Sequence, residues 1–434
     1  MTVLARLLDL ALLPAAEVTH SARAYARLSL FDWMVCGRAG RHEPLAGILR
    51  AMATEEGGTA QASMIGGGLV PARAAALVNG ATSHALDYDD THFGHIGHPS
   101  VAIYPAALAV GEAENAAASA VVDAFLIGAE ASVRLGMVLG SAHYNRGFHQ
   151  TATAGAFGAT VAAGRLYGLD RNRMRAALNL CATRASGLKS QFGTMGKPYN
   201  AGIAASNGVE CARLAWAGFT APDDAITGPQ GFVPTHSDAP LTDWPDQQGF
   251  MFEDVKYKLH ACCHGTHAMI EALAALQQAH GLRSNQVGLI RLRTHPGWLS
   301  VCDIKVPRTG LEVKFSYAWL AGMVFSGKAT SADKSYSEAL ATDAGLMAFA
   351  DRITVSGGAG LTQMQAAGDI VLDDGTVLPF AHDLAAALPL AVQESALRRK
   401  ATALIGAEAQ TLWQAIDAFD GLSARDLGHL LRAT

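Results

Sequence analysis

Charge is scarce in this chain. Asp, Glu, Lys and Arg make up 16% of its 434 residues. No run of lysine or arginine gathers on any segment, and the net charge is −5. A nucleic-acid footprint needs clustered positive charge, so nucleic acid is not expected as a partner. Cysteine is also sparse. Cys36, Cys181, Cys211, Cys262, Cys263 and Cys302 are six thiols with no framework spacing, and Cys262-Cys263 are adjacent rather than CxxC. Disulfide scaffolds and paired-cysteine zinc sites are therefore not expected, and a reducing, cytoplasmic location is. Long apolar runs are missing. The stretch from Val101 to Gly111 is too short to span a bilayer. The first residues, with Asp9 inside a short apolar run, read as an amphipathic helix rather than a signal peptide. No membrane partner is expected.

What is present is small and apolar. Half the residues are hydrophobic and 45 are glycine, a composition that lets helices approach closely. Residues 1 to about 265 read as mostly helical. Val121 to Leu139 and Thr151 to Tyr167 are long apolar helices. Asp170 caps a helix over Arg171 to Cys181, and Asn200 to Trp216 forms another, ended by Gly218. Pro222, Pro229, Pro234, Pro240 and Pro245 mark a long loop or two short helices up to Phe252. The texture then changes. Thr266 to His280 and Phe315 to Phe325 read as helices, and Val287 to Thr294 alternates as a strand. Arg352 to Val355 is a further strand, and Asp369 to Leu378 is a hairpin turning at Asp374-Gly375. Pro389 to Leu404 returns to helix. The expected fold is mainly α: a large all-helical domain over 1–267 and 396–434, with a smaller α+β lid domain inserted at 268–395.

Four segments concentrate ionisable groups. His84 to Ser100 holds His84, His92, His95 and His98 with Asp87, Asp89, Asp90 and Thr91. His98 precedes Pro99-Ser100 at a helix N-terminus, where free N–H groups favour an anion. The aspartates and Thr91 could equally cap turns. His92, His95 and His98 could hold zinc, though such sites usually add cysteine. Tyr144 to Gly155 places His149 at a helix start, which disfavours imidazolium and suits a general base or a simple cap. Phe192 to Gly202 opens with a Gly-rich turn that leads into Lys197, with Pro198 at the first helical position. An ammonium there opposes the helix dipole unless it meets an anion. Lys256 to His267 gathers Lys256, Lys258, His260, His264 and His267 with Cys262 and Cys263 at the domain junction. A Cys262 nucleophile is conceivable, but packing is the commoner role for such thiols.

Taken in order, these segments resemble the MmgE/PrpD family. The resemblance rests on Leu86-Asp-Tyr-Asp-Asp-Thr91, Gly97-His-Pro-Ser100, Gly147-Phe-His-Gln-Thr151, Gly196-Lys-Pro198, Lys258 with Cys262 and His267, and Phe315-Ser316. It implies a helical domain with an α+β lid, a homodimer, and a cleft between domains. It also implies catalysis on small di- or tricarboxylates with no metal and no cofactor. Carried over residue by residue, it implies catalytic roles for Asp87, His98, His149, Lys197 and Lys258. Thr91, Lys197 and Lys258 would bind substrate; apart from the resemblance, Tyr144 is a candidate substrate contact and extra acid. His84, His92 and His95 keep structural or surface roles. Family activities include 2-methylcitrate dehydration, cis-aconitate decarboxylation and iminodisuccinate epimerisation. The chain's generic length places it nearest the epimerase-like branch. The expected reaction is proton removal and return at the carbon α to a carboxylate, with Lys197 and Lys258 clamping carboxylates and Asp87 orienting an imidazole. Hydro-lyase and decarboxylase chemistry are the alternatives, and a zinc-dependent hydrolase or a non-catalytic dicarboxylate-binding protein the readings from other classes.

Overall fold

The computed structural model describes residues 1–239 and 243–432, so Pro240 lies outside the described residues. The chain is mainly α and divides into two compact units. One comprises Met1–Tyr257 with Ile405–Thr434, and the other is Lys258–Leu404. Residues 258–267 fall within the second unit. There Ala261 N–H donates to Thr330 O and Cys263 N–H to Lys314 O, while Cys262 enters that unit's core.

The first unit is built from α1 (Val3–Ala11), α2 (His20–Gly40), α3 (Pro44–Glu56), α4 (Ala72–Ser83), α5 (Pro99–Ala113), α6 (Ala118–Arg146), α7 (Gln150–Leu166), α8 (Arg171–Arg184) and α9 (Gly196–Trp216). Helices α5, α6, α7 and α9 are apolar round most of their circumference, which marks them as the centre of the bundle. Asp170 caps α8 as expected, its carboxylate accepting from Arg173 N–H at 2.9 Å. The proline-rich stretch forms a short helix at Phe232–His236 and a 3₁₀ turn at Met251–Asp254.

Glycine sets how closely these helices cross. A Cβ at Gly202 on α9 would lie 2.3 Å from Leu77 O on α4, and one at Gly80 would lie 2.9 Å from Gly202 Cα. Backbone therefore meets backbone between α4 and α9, which fixes the end of one against the start of the other.

Residues after 404 complete this unit. Ala118 N–H donates to Leu422 O, Ala424 N–H to Ala116 O and Gly66 N–H to Leu431 O. Arg38 reaches Leu430 O at 2.8 Å, and Phe31 packs edge-on against Trp413.

The second unit carries a four-stranded sheet. With a short ribbon, β1 (Ala62–Ser63) and β2 (Leu69–Val70), in the first unit, its strands are β3 (Val287–Thr294), β4 (Ile353–Gly357), β5 (Gln365–Leu372) and β6 (Val377–Asp383), in the order β4-β3-β5-β6. β3 runs parallel to β4 and antiparallel to β5, and β5 pairs antiparallel with β6 through the expected hairpin at Gly375. Alternation on β3 puts Ile290, Leu292 and Thr294 inward and Arg291 and Arg293 outward. Helices His267–His280 and Tyr317–Phe325 supply Ile270, Leu273, Tyr317 and Leu320 to the same core.

Candidate functional site

Helix ends in the first unit converge on one cluster. His84 is the C-cap of α4, His98 the N-cap of α5, His149 the N-cap of α7, and Lys197 sits in the first turn of α9. Neither His98 nor His149 uses its ring to cap its helix. Their backbones are extended, their rings are free for other partners, and both are buried. α9 begins at Gly196, so Pro198 is its third residue rather than its first. The 192–196 turn is tighter than its glycines suggest, with Lys197 N–H donating to Thr194 O.

Asp89 lies at the centre. It is fully buried, and its Oδ1 accepts from His84 Nδ1 at 2.8 Å. Its Oδ2 lies 2.8 Å from His98 Nδ1, a close contact rather than an aligned hydrogen bond. Burial alone would raise the Asp89 carboxyl, but His84 and His98 together hold it far below the usual carboxylate range. Beside the Asp87 expected to orient an imidazole, Asp89 stands against two rings. Asp87 pairs with Lys197, Nζ to Oδ2 at 2.6 Å, while its Oδ1 is 3.5 Å from His98 Nε2. A left-handed backbone at Asp87 (φ 51°) turns its carboxylate to that partner, a conformation Asp tolerates better than most residues.

Of the structural and surface roles open to His84, the structure shows the buried one. His84 is a buried member of the cluster, its ring centroid 4.6 Å from that of His98 and 6.1 Å from that of His149. His149 is edge-on to Phe192 at 5.0 Å, and Lys197 lies 5.4 Å from the same ring. Asn200, one turn into α9, donates to His149 Nδ1 at 3.3 Å and to Leu188 O at 3.2 Å. Thr151 Oγ1 accepts from His98 N–H at 3.0 Å, which ties the start of α5 to α7.

Desolvation dominates the electrostatics. It lowers His98 to about 4 against the opposing pull of Asp89. It takes His149 well below its ordinary value, aided by the charges of His84, Lys197 and His98 and opposed by Asp87. Both rings are thus neutral near pH 7. Asp90 moves the other way, to about 7, because burial, Asp32 and Asp89 outweigh its bonds from Ser100 N–H and Oγ–H. Neighbouring carboxyls in sequence are thus driven apart, one ionised and one holding a proton.

The other named residues lie in different settings. Thr91 forms a two-way backbone bridge with Lys256, and its hydroxyl donates to Lys256 O at 3.4 Å. The Tyr144 ring carries the Lys189 ammonium at 3.5 Å. His92 and His95 are buried rather than on the surface. His92 Nε2 bonds Met251 O and its Nδ1 accepts from His95 N–H, so both ring nitrogens are taken and the His92–His95–His98 zinc set does not assemble. Among the described residues, His84, Asp87, Asp89 and His98 do bring donor atoms within 4.8 Å of one another. Two imidazoles already occupy Asp89 and an ammonium occupies Asp87, so a dication there would have to displace Lys197. The set reads as a proton-handling cluster.

In the second unit Lys258 is buried, and its charge helps keep His267 neutral in a setting where desolvation is the main cause. Burial pushes the Cys262 thiol up to about 12, which leaves it a poor nucleophile. His260 bridges Thr330 and Glu271. Among the described residues no helix is long and apolar enough to cross a membrane.

Three members of the first-unit cluster carry no local signal in the sequence: His84, Asp89 and Asn200. Each acquires its partner only when separate helix ends meet.

Comparison with known proteins agrees with the pattern of motifs. The chain is 28% identical over 305 residues to a cis-aconitate decarboxylase of Aspergillus terreus, covering 63% of this chain and 62% of that protein. It is 27% identical over 345 residues to the cis-aconitate decarboxylase-like protein oryM of Aspergillus oryzae, covering 72% and 71%. Against the cis-aconitate decarboxylase of Homo sapiens it is 28% identical over 218 residues, covering 48% and 45%. The match thus spans less than two thirds of the first relative's length. Residues 10–244 match the MmgE/PrpD N-terminal domain and residues 260–388 the MmgE/PrpD C-terminal domain. With both domain models matched in order over most of its length, the chain belongs to the MmgE/PrpD family.

Proposed function

We propose that this protein is a cofactor-independent lyase acting on a small di- or tricarboxylate, with proton transfer at a carbon α to a carboxylate as its central step. One observation carries the reading: a lysine paired with a replaceable carboxylate, Lys197 on Asp87, beside two buried neutral imidazoles. A substrate carboxylate takes the place of Asp87 on Lys197. The positive ends of α5, α7 and α9 favour the same anion. When a C–C bond to a second carboxylate breaks, CO₂ leaves and the electron pair passes to the carbon conjugated with the retained carboxylate. Lys197 stabilises that enediolate-like charge, and the N–H of a neutral imidazole delivers its proton to the strongly basic carbon; the imidazolate left behind regains a proton from solvent, which supplies the one proton the decarboxylation consumes. Such a preplaced cation in a dry site contributes several kcal/mol, on the order of 3–4. We expect the protein to work as a homodimer.

Decarboxylation is placed first because the relatives bear that name. Epimerisation is the second reading, favoured by the presence of two neutral imidazoles that can serve as acid and base on one carbon. A screen of small di- and tricarboxylates in D₂O, followed by proton NMR, separates them. Decarboxylation gives a product shorter by one carbon, deuterated where the proton was delivered. Epimerisation gives deuterium at the α carbon of unchanged substrate with loss of optical purity. No exchange and no turnover across the screen, or full turnover in both Lys197→Ala and His149→Ala, refutes the proposal.

A further inference from the structure

Hydrogen-bond chemistry decides where the proton sits on each neutral ring. A carboxylate can only accept, so Nδ1 of His84, bonded to Asp89 Oδ1, carries hydrogen, and so does Nδ1 of His98, since at 2.8 Å from Asp89 Oδ2 a bare nitrogen would set lone pair against lone pair. A neutral ring has one N–H, and the Asp89 contact at 2.8 Å claims it ahead of the 3.5 Å approach of Asp87 Oδ1 to Nε2, so Nε2 of His98 is left as a lone pair. At His149 the argument runs in the opposite direction. Asn200 Nδ2 faces Leu188 O, a carbonyl that can only accept, so the NH₂ end of the amide is fixed. The second hydrogen of the same NH₂ is directed at His149 Nδ1, which must accept it. The ring proton of His149 is thereby confined to Nε2. Asn200 is buried and cannot readily turn its amide over. His149 is fixed in turn, since its N–H donates to Gly187 O at 3.0 Å.

We propose that Asn200 and Asp89 are positioning residues that impose opposite tautomers, so that His149 presents an Nε2–H donor and His98 a bare Nε2 acceptor. This rests on the proton-transfer reading above and deepens it: His149 is the acid that delivers a proton and His98 the base that takes one. Asp87 acts on both rings, and the partner behind each ring, Asp89 or Asn200, sets which nitrogen carries its proton. A neutral imidazole with its proton on the wrong nitrogen cannot do the task required of it, however well placed.

The test uses the full-length protein without substrate, so it does not depend on the identity of the substrate. Histidine side chains are labelled with ¹⁵N and long-range ¹H–¹⁵N spectra are recorded at pH 8. The His149→Gln and His98→Gln variants assign the two rings. His149 is expected to show protonated Nε2 with imine-type Nδ1, and His98 the reverse. Asn200→Asp offers a carboxylate in place of the NH₂ donor and should invert the His149 pattern while leaving that of His98 unchanged. Asn200→Ala, which adds no charge, should leave His149 as a mixture of both tautomers and serves if the aspartate variant does not fold. A wild-type His149 with protonated Nδ1, or a His149 pattern unmoved by a folded Asn200 variant, overturns the tautomer assignment. Once a substrate is in hand, the inverted variant should lose at least about 10²-fold in kcat with little change in KM. Inversion with kcat intact overturns the acid role while leaving the tautomers standing.

Discussion

Acid should unfold the first unit over a window set by its buried rings. His95 is lowered to about 3, His98 to about 4 and His143 to about 4, burial being the leading cause in each case. In the unfolded chain each returns to about 6.5. A histidine whose folded pKa is depressed contributes stability that is complete above 6.5 and is lost as pH falls toward the folded value. Asp90 works against this. Its folded pKa near 7 lies above the ordinary carboxyl value, so its contribution is present at low pH and lost as pH rises through 7. At pH 5 the unfolded chain thus binds nearly three protons at the histidines that the folded unit does not, and the folded unit holds one at Asp90 that the unfolded chain does not. From these four groups the net is about two protons, a loss of about 2–3 kcal/mol for each pH unit of acidification between about 6 and 4.5. His149 acts in the same direction, and Asp89 adds only below about pH 4. Calorimetric unfolding at pH 5 in two buffers of different ionisation enthalpy counts the protons directly, and urea midpoints from pH 8 to 4.5 give the slope. All these groups lie in the first unit, so its transition is the one to follow. Zero uptake at pH 5, or a midpoint that rises on acidification, would refute the argument.

Asp90→Asn removes the opposing group, so uptake at pH 5 should rise by about one proton; the same calorimetry checks it. Lys197→Met should lower kcat/KM by about 10²–10³-fold and leave the Asp87 carboxylate without its ammonium. Steady-state kinetics on the substrate found in the screen measure this. Gly202→Ala forces α4 from α9 and should cost at least about 1–3 kcal/mol in urea unfolding, with a parallel loss of activity because those helices carry His84 and Lys197. Gly47→Ala meets nothing within 4 Å and should be neutral or stabilising by up to about 1 kcal/mol.

The parts of the cluster legible in the sequence are those whose signal is local. Pro99 after His98 and the small-residue run after His149 announce helix starts, and both rings stand there. The strands of the second unit are equally plain, since alternation along Val287–Thr294 depends on neighbours two residues apart. Asp89 is not legible. Asp87, Asp89 and Asp90 are equivalent on paper, and which one meets the two imidazoles depends on the left-handed turn at Asp87 and on the meeting of α4 with α5. Asn200 reads as an ordinary first-turn residue, and its partner His149 is 51 positions away. His84 looks like the frayed end of a helix because the ring stacked on it comes from the start of α7. The start of α9 is hidden for a simpler reason: Pro198 is tolerated anywhere in a first turn, so it does not mark one position.

The order of synthesis gives the split helical unit a particular history. Residues 405–432 supply carbonyls and a ring to partners made near the beginning of the chain, among them Arg38, Gly66 and Phe31. Between the two halves the ribosome makes residues 258–404, roughly 7–30 s of work at about 5–20 residues per second. For that interval the nascent helical body waits with part of its hydrophobic surface uncovered, while the later α+β unit has all of its own chain and can fold first. The unit that carries the histidine cluster is thus begun first and completed last. It is the stage at which a chaperone would be needed most.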